Sequence, residues 1–163
     1  MKLRICEITT ENRHEIANLK VTEQQHKFIE STVENCLVDA ETKYKEDAVS
    51  VGLYDDDVPI GYAMYGWFEE EEKAIYLNQF VIDSACQGKG YAKPLLRLLM
   101  EHFKTEYNYK VMYLSIHSEN KLAQKLYESI GFHLTGEIED EWLHGKGFIM
   151  KRMSGLIKTC PRE

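Results

Sequence analysis

The chain has 163 residues, 44% apolar and 29% charged, with a formal net charge of −7. That length holds one continuous hydrophobic core without a metal or disulfide staple, and the acidic balance repels phosphate backbones, which argues against nucleic acid and for a basic, amine-type partner. Four scattered cysteines (Cys6, Cys36, Cys86, Cys160) lack metal-type spacing, no apolar run is long enough to cross a bilayer, and Met1 to Cys6 is no signal-peptide core, so the expectation is a metal-free cytoplasmic domain over 1–163, its last ten residues, 154–163, a loose tail.

Taken in order, Leu3, Ile5 and Ile8 alternate as an opening strand, and Thr9 and Thr10 offer caps for a helix over 11–20 with Ile16, Ala17 and Leu19 inward. Thr22 to Gln25 has capping-box form, and Phe28, Ile29, Val33, Cys36 and Leu37 follow at helical spacing, which predicts a second helix, or a broken pair, ending near Ala40. The runs 49–53 and 59–67 read as a hairpin whose turn carries Asp55, Asp56 and Asp57, and 74–83 as a third antiparallel strand. Next come a helix from Gly90 to about Tyr107, a buried strand over 111–116, and a helix over 119–130 capped by Ser118 and closed by Gly131. His133 to Trp142 and Gly147 to Met153 make a last hairpin. The fold class is α/β (α+β): a mixed, mostly antiparallel sheet of six or seven strands flanked by about four helices.

The stretch Gln87-Gly88-Lys89-Gly90-Tyr91-Ala92-Lys93 lies between a strand and a helix. Two glycines let the backbone turn its N–H groups inward, and the first turn of the helix adds unpaired donors and the positive end of a dipole. That is a cradle for a phosphate or pyrophosphate; Pro94 fits it, having no N–H to waste in a first helical turn. Neither the Gly-x-x-x-x-Gly-Lys-Ser/Thr loop nor a completed Gly-x-Gly-x-x-Gly fingerprint is present.

Gln87, Gly90 and Ala92 match Gln/Arg-x-x-Gly-x-Gly/Ala, and Asn120, Ala123, Leu126, Tyr127, Gly131 and Phe132 match Asn-x-x-Ala-x-x-Leu-Tyr-x-x-x-Gly-Phe. Together the two blocks resemble the acetyl-CoA-binding signatures of the GNAT N-acetyltransferases. The stretch from Gln24 to Ala40 is similar to the N-terminal region of the bacterial spermine/spermidine acetyltransferases of that superfamily.

The resemblance implies an acetyl-CoA-dependent N-acetyltransferase acting on a polyamine by direct attack in a ternary complex. It implies that Gln87, Gly88, Lys89, Gly90, Tyr91, Ala92 and Lys93 hold the diphosphate, with Lys125 adding charge. The backbone of Phe80, Val81 and Ile82 pairs with the pantetheine amides where two parallel strands splay, and Asn120 and Ala123 line the cofactor. Tyr127, from the pattern alone a helix-face aromatic, becomes the general acid: its ordinary pKa of about 10 lies above the roughly 8.5 of a thiol, so it can protonate the leaving sulfur. Related enzymes carry a carboxylate where this chain has Asn78; an amide cannot accept a proton at neutral pH, so Asn78 is expected to order a water or the amine. Gln25, Glu30, Glu34 and Glu141 are the expected acceptor-binding residues, with Glu30, Glu34, Glu141, His144 or bulk water open as the base. Two alternatives stand beside this reading: another acceptor (a protein N-terminus, a lysine or a drug-like amine), or a CoA-binding regulator without turnover. The partner is a small amine, with no nucleic acid, membrane or metal; a homodimer is left open.

Overall fold

Alternating apolar residues build the sheet, and the helices cover it. The computed structural model describes residues 1–26, 28, 32–140, 142 and 145–156. Its strands are β1 (Leu3–Glu7), β2 (Val49–Asp55), β3 (Val58–Glu69), β4 (Ala74–Ile82), β5 (Val111–His117), β6 (His133–Glu139) and β7 (Gly147–Met153), joined in the order β1-β2-β3-β4-β5-β7-β6. All neighbours pair antiparallel except β4 and β5, which are parallel. The helices are α1 (Arg13–Ala17), α2 (Glu23–His26), α3 (Val33–Glu41), α4 (Ala92–Tyr107) and α5 (Lys121–Ser129). The seven strands match expectation, and the four expected helices are present with the second split into α2 and α3.

Local hydrogen bonding moved four helix boundaries. The first helix begins at Arg13, not 11, because Thr9 and Asn12 close a reciprocal box: the Thr9 N–H donates to Asn12 Oδ1 at 2.8 Å and the Asn12 N–H to Thr9 Oγ1 at 3.2 Å. It stops short of Lys20, whose N–H donates to Asp83 Oδ1 at 2.9 Å. Thr32 starts α3 afresh, in extended backbone, its hydroxyl accepting from the Asn35 N–H. Asn120, not Ser118, caps α5: its Oδ1 accepts from the Ala123 N–H at 3.1 Å, while the Ser118 N–H goes to Lys146 O. Gly131 does terminate that helix, at φ 104°. The tail expected after Ser154 is a short 3₁₀ turn through Leu156; beyond it, Cys160 included, the chain lies outside the described residues.

Two cores form, one on each face of the sheet. Leu95, Leu96, Leu99, Met100 and Phe103 recur on one side of α4 and pack onto Val51, Leu53, Ala63, Ile75, Met112, Leu114 and Met150. On the opposite face Ile16, Leu19, Val33, Cys36 and Leu37 of the α1–α3 layer meet Tyr54, Tyr62, Met64 and Val81. Each large aliphatic side chain buried under α4 contributes about 1.5–3 kcal/mol relative to exposure. The helix that carries the glycine turn at its N-terminus is therefore firmly seated.

The decisive irregularity lies in β4. Met64 pairs with Gln79 but Tyr65 pairs with Leu77, which leaves Asn78 as an extra residue, a β-bulge. The bulge changes which residues face which core: Ile75 and Leu77 point to the α4 side before it, Phe80 and Ile82 after it, while Val81 turns to the other face. The parallel pairing with β5 ends at the same place, at Leu77↔Leu114. From there β5 stays with β7 as far as His117↔Gly147, β4 stays with β3, and the two strands part.

Candidate active site

The parted strands open a cleft of about 730 Å³, bounded by β4 and β5, the glycine turn, α2 and α5. Along its β4 wall, main-chain direction can be read from the register. The Asp83 N–H donates to Ile60 O in β3, so in this antiparallel ladder Val81 also turns its N–H and C=O to β3, where its carbonyl lies against Gly61. The groups of Phe80 and Ile82 then point the other way, into the cleft. The expectation for Val81 is corrected accordingly: it lines the cleft, but its backbone is committed to the sheet. An open strand edge of this kind can take an extended amide-bearing chain as a further strand.

At one end stands the turn. Gly88 has φ 74° and Gly90 φ 83°, a region other residues enter only at a cost, and a Cβ on either would touch nothing within 4 Å. The loop is held at its two ends instead. Gln87 Nε2 donates to Ile82 O at 2.9 Å and to Gln25 Oε1 at 2.7 Å; the Tyr91 hydroxyl donates to Asp55 Oδ2 at 2.7 Å. Ala92 and Lys93 open α4 beside it, and both line the cleft. Lys89 is exposed and does not line it, whereas Lys125 does. A diphosphate fits this geometry, since among the described residues the N–H groups of 88–93 have no main-chain acceptor and nothing approaches the Cβ positions of Gly88 and Gly90.

Gly90→Ala is expected to weaken coenzyme A binding about ten-fold. In the left-handed region an alanine costs about 1–2 kcal/mol, and the loop relieves it by leaving the conformation in which its N–H groups converge. Calorimetric titration with coenzyme A measures this, and unchanged affinity in a folded variant would show that convergence is not required.

Tyr127 lies on the inner side of α5, 8% exposed, its ring 5.5 Å from that of Phe132. Burial alone raises its phenol well above the ordinary tyrosine range. Its hydroxyl has no hydrogen-bond partner among the described residues, which leaves the proton available to whatever occupies the cleft. Arg152 secures the helix below it: its buried guanidinium donates to Ile130 O at 2.7 Å, just past the end of α5, and to the Tyr109 hydroxyl at 3.2 Å. Asn120 and Ala123 line the cleft at the start of α5; the Asn120 carbonyl oxygen is committed to the cap.

Asn78 sits exposed on the bulge, where β4 and β5 diverge, and lines the cleft. The expected acceptor residues divide. Gln25 lines the cleft, but its carbonyl oxygen is taken by Gln87. Glu34 is exposed on α3 and is not part of the cleft wall, because its helix packs on the other face of the sheet. Glu30, Glu141 and His144 lie outside the described residues.

Among the described residues the carboxylate that reaches the cleft is Glu139, part of the acidic run 137–141. Its Oε2 accepts from Ser115 Oγ at 2.7 Å and Trp142 Nε1 at 2.9 Å, and its Oε1 from the Tyr76 hydroxyl at a longer 3.4 Å. Burial, and then the charge of Glu139, keep the Tyr76 phenol well above its ordinary range, so it serves as a neutral donor. Aromatic rings adjoin this end of the cleft: His117 stands 5.1 Å from Phe28 and 5.6 Å from Trp142. An anion held by neutral donors beside aromatic faces is a receptor for an organic cation.

Splayed parallel strands, a bulge, a glycine cradle and a buried tyrosine are the architecture of an acyl-CoA-dependent N-acyltransferase. The chain matches the Acetyltransferase (GNAT) family over residues 13–132 and belongs to it. It is an N-acetyltransferase that uses acetyl-CoA. The spermine/spermidine N(1)-acetyltransferase of Bacillus subtilis (strain 168) is 39% identical over 145 residues, 85% of this chain and 93% of that protein. N-acetylaspartate synthetase of Danio rerio is 40% identical over 76 residues, 47% of this chain and 27% of that protein. In fold the chain matches the crystal structure of spermidine N-acetyltransferase from Vibrio cholerae in complex with CoA and spermine, with a TM-score of 0.77 at 20% identity over 94% of this chain and 96% of that one. Among the described residues no helix is long and apolar enough to cross a membrane, and no group of His, Cys, Asp or Glu could hold a metal ion.

Proposed function

We propose that this protein acetylates a primary amine of a polyamine such as spermidine or spermine, by direct attack on acetyl-CoA within a ternary complex in the cytoplasm. The observation that carries the acceptor is Glu139, an anion held by three neutral donors in the same cleft as Tyr127 and the glycine turn. The likeness to a spermine/spermidine acetyltransferase over most of both chains supports the same acceptor.

Acetyl-CoA supplies an acyl group activated as a thioester. Residues 87–93 hold its diphosphate through main-chain N–H groups, and the strand edge at Phe80 and the Ile82 N–H orients the pantetheine arm, the Ile82 carbonyl already accepting from Gln87. Glu139 pairs with an ammonium of the polyamine and fixes how far the chain reaches along the cleft. A primary amine is only about 0.1% neutral at pH 7, so withdrawing the reacting nitrogen from water among Phe28, Trp142 and His117 favours the form that can attack. Asn78, unable to act as a base, accepts a hydrogen bond from that nitrogen at the bulge. As the C–N bond forms and the C–S bond breaks, Tyr127 gives its proton to the sulfur, the nitrogen releases one to water, and Tyr127 regains its proton from solvent.

Steady-state rates across spermidine, spermine, a simple monoamine, aspartate and an N-terminal peptide test the acceptor. The polyamines are expected to have the highest kcat/KM, and turnover of the peptide or aspartate without the polyamines would overturn the assignment. Binding of coenzyme A with no turnover of any amine would instead mark a regulator that has kept the fold.

A further inference from the structure

The end of β2 and the turn into β3 carry three consecutive aspartates, and the structure gives them different employments. Asp57 is fully exposed and faces Arg4 across a loose 3.4 Å; Asp56 makes the bend, at φ 53°. Asp55 points inward, with both oxygens engaged: Oδ1 accepts from the Lys2 N–H at 2.8 Å and Oδ2 from the Tyr91 hydroxyl at 2.7 Å. The Asp56 N–H donates to Lys2 O at 2.9 Å, so Asp55 stands on a hairpin end that is itself knit to β1.

We infer that Asp55 is a positioning residue for the cofactor cradle, acting through Tyr91; the inference rests on the reading that residues 87–93 hold the diphosphate of coenzyme A. Tyr91 follows Gly90 directly and is the residue from which α4 starts, its carbonyl accepting the Leu95 N–H at 3.0 Å. Among the described residues nothing packs on the two glycines, so the loop owes its shape to its ends. Gln87 anchors the front end to Ile82 of β4, and Tyr91 anchors the rear to Asp55 of β2, 36 residues away in sequence. With both anchors made, the N–H groups of Gly88 to Lys93 converge before any ligand arrives, and binding no longer has to order them. The Tyr91 hydroxyl is spent on this bond and is not itself a phosphate ligand.

Titration calorimetry with coenzyme A, together with initial rates, tests the inference on Asp55→Ala, Tyr91→Phe and the double variant, with Asp57→Ala as the control. Asp55→Ala and Tyr91→Phe are each expected to raise the Kd for coenzyme A about five-fold, as for a lost hydrogen bond to a charged group in partial contact with solvent. The double variant should be no worse than either single one, because both cut the same bond. The KM for acetyl-CoA should rise in step, while kcat at saturating acetyl-CoA stays within about two-fold, since the chemistry of the bound complex is untouched. Asp55→Asn, which keeps one acceptor, should recover part of the loss, and Asp57→Ala should match wild type. Tyr91→Phe removes a single oxygen atom and keeps the test open if Asp55→Ala does not fold. Wild-type affinity in the variants, additive losses in the double variant, or a lowered Tm with no change in Kd would each overturn the inference alone. Wild-type protein that fails to bind coenzyme A would overturn the functional reading and this inference with it.

Discussion

Tyr127→Phe is expected to lower kcat by about 10² or more while the Kd for coenzyme A stays within about two-fold, the scale for removing a placed proton donor. The ring is wedged against Phe132 at the inner side of α5 and would stay there, so the substitution deletes the donor and little else. The pH profile should move too. Burial raises the phenol above its ordinary value, which extends its protonated form toward alkaline pH; any fall in kcat from ionisation of Tyr127 therefore lies above about pH 10, and the phenylalanine variant should lack it. Single-turnover rates, with cofactor binding measured separately, distinguish this from lost affinity. Equal rates in the two proteins would remove Tyr127 from the mechanism.

The second large effect is expected at Glu139. Glu139→Gln keeps an oxygen to receive Ser115 and Trp142 but deletes the charge, so a polyamine loses its counter-ion while the local packing survives. A charge-assisted contact of this kind contributes about 1.5–3 kcal/mol, which predicts a fall of roughly 10- to 100-fold in kcat/KM for spermidine and spermine. Coenzyme A affinity should not change, because Glu139 lies on β6 and its hydrogen bonds run to Tyr76, Ser115 and Trp142, none of them in the glycine turn. A monoamine with no second ammonium should lose much less, and that contrast is the discriminating measurement. If polyamines and monoamines fall together, Glu139 supports the fold of the cleft and does not read the acceptor.

The cofactor half of this site was legible in the sequence because its chemistry is local. Gly88 and Gly90 announce positive φ, and the following apolar stripe of α4 announces a seated helix, all within about 17 consecutive residues. Tyr127 was singled out by the resemblance of the block from Asn120 to Phe132 to the family signature, since its place on α5 by itself reads only as a helix-face aromatic. The acceptor half was not, for reasons that can be named. Three residues of β6, Thr135 to Glu137, face Ile149 alone across the ladder, with Gly136 at φ 90°, so strand alternation gives no phase for Glu139. Its partners Tyr76, Ser115 and Trp142 come from three other segments. Glu34, expected from the resemblance, stands outside the cleft wall because of the face on which α3 packs.

The same division separates what the sequence determined on its own from what the tertiary structure decided. Hydrophobic period, caps and glycine placement are properties of neighbouring residues, and they dictated the strands, α4, α5 and the glycine turn before any long-range contact was known. Three matters depended on contacts between distant segments: the bulge at Asn78 that parts β4 from β5, the choice of Glu139 as the cleft's anion, and the tie from Asp55 to Tyr91. Register and cross-strand partnership arise only when strands far apart in the chain are laid side by side, so a linear pattern carries no record of them.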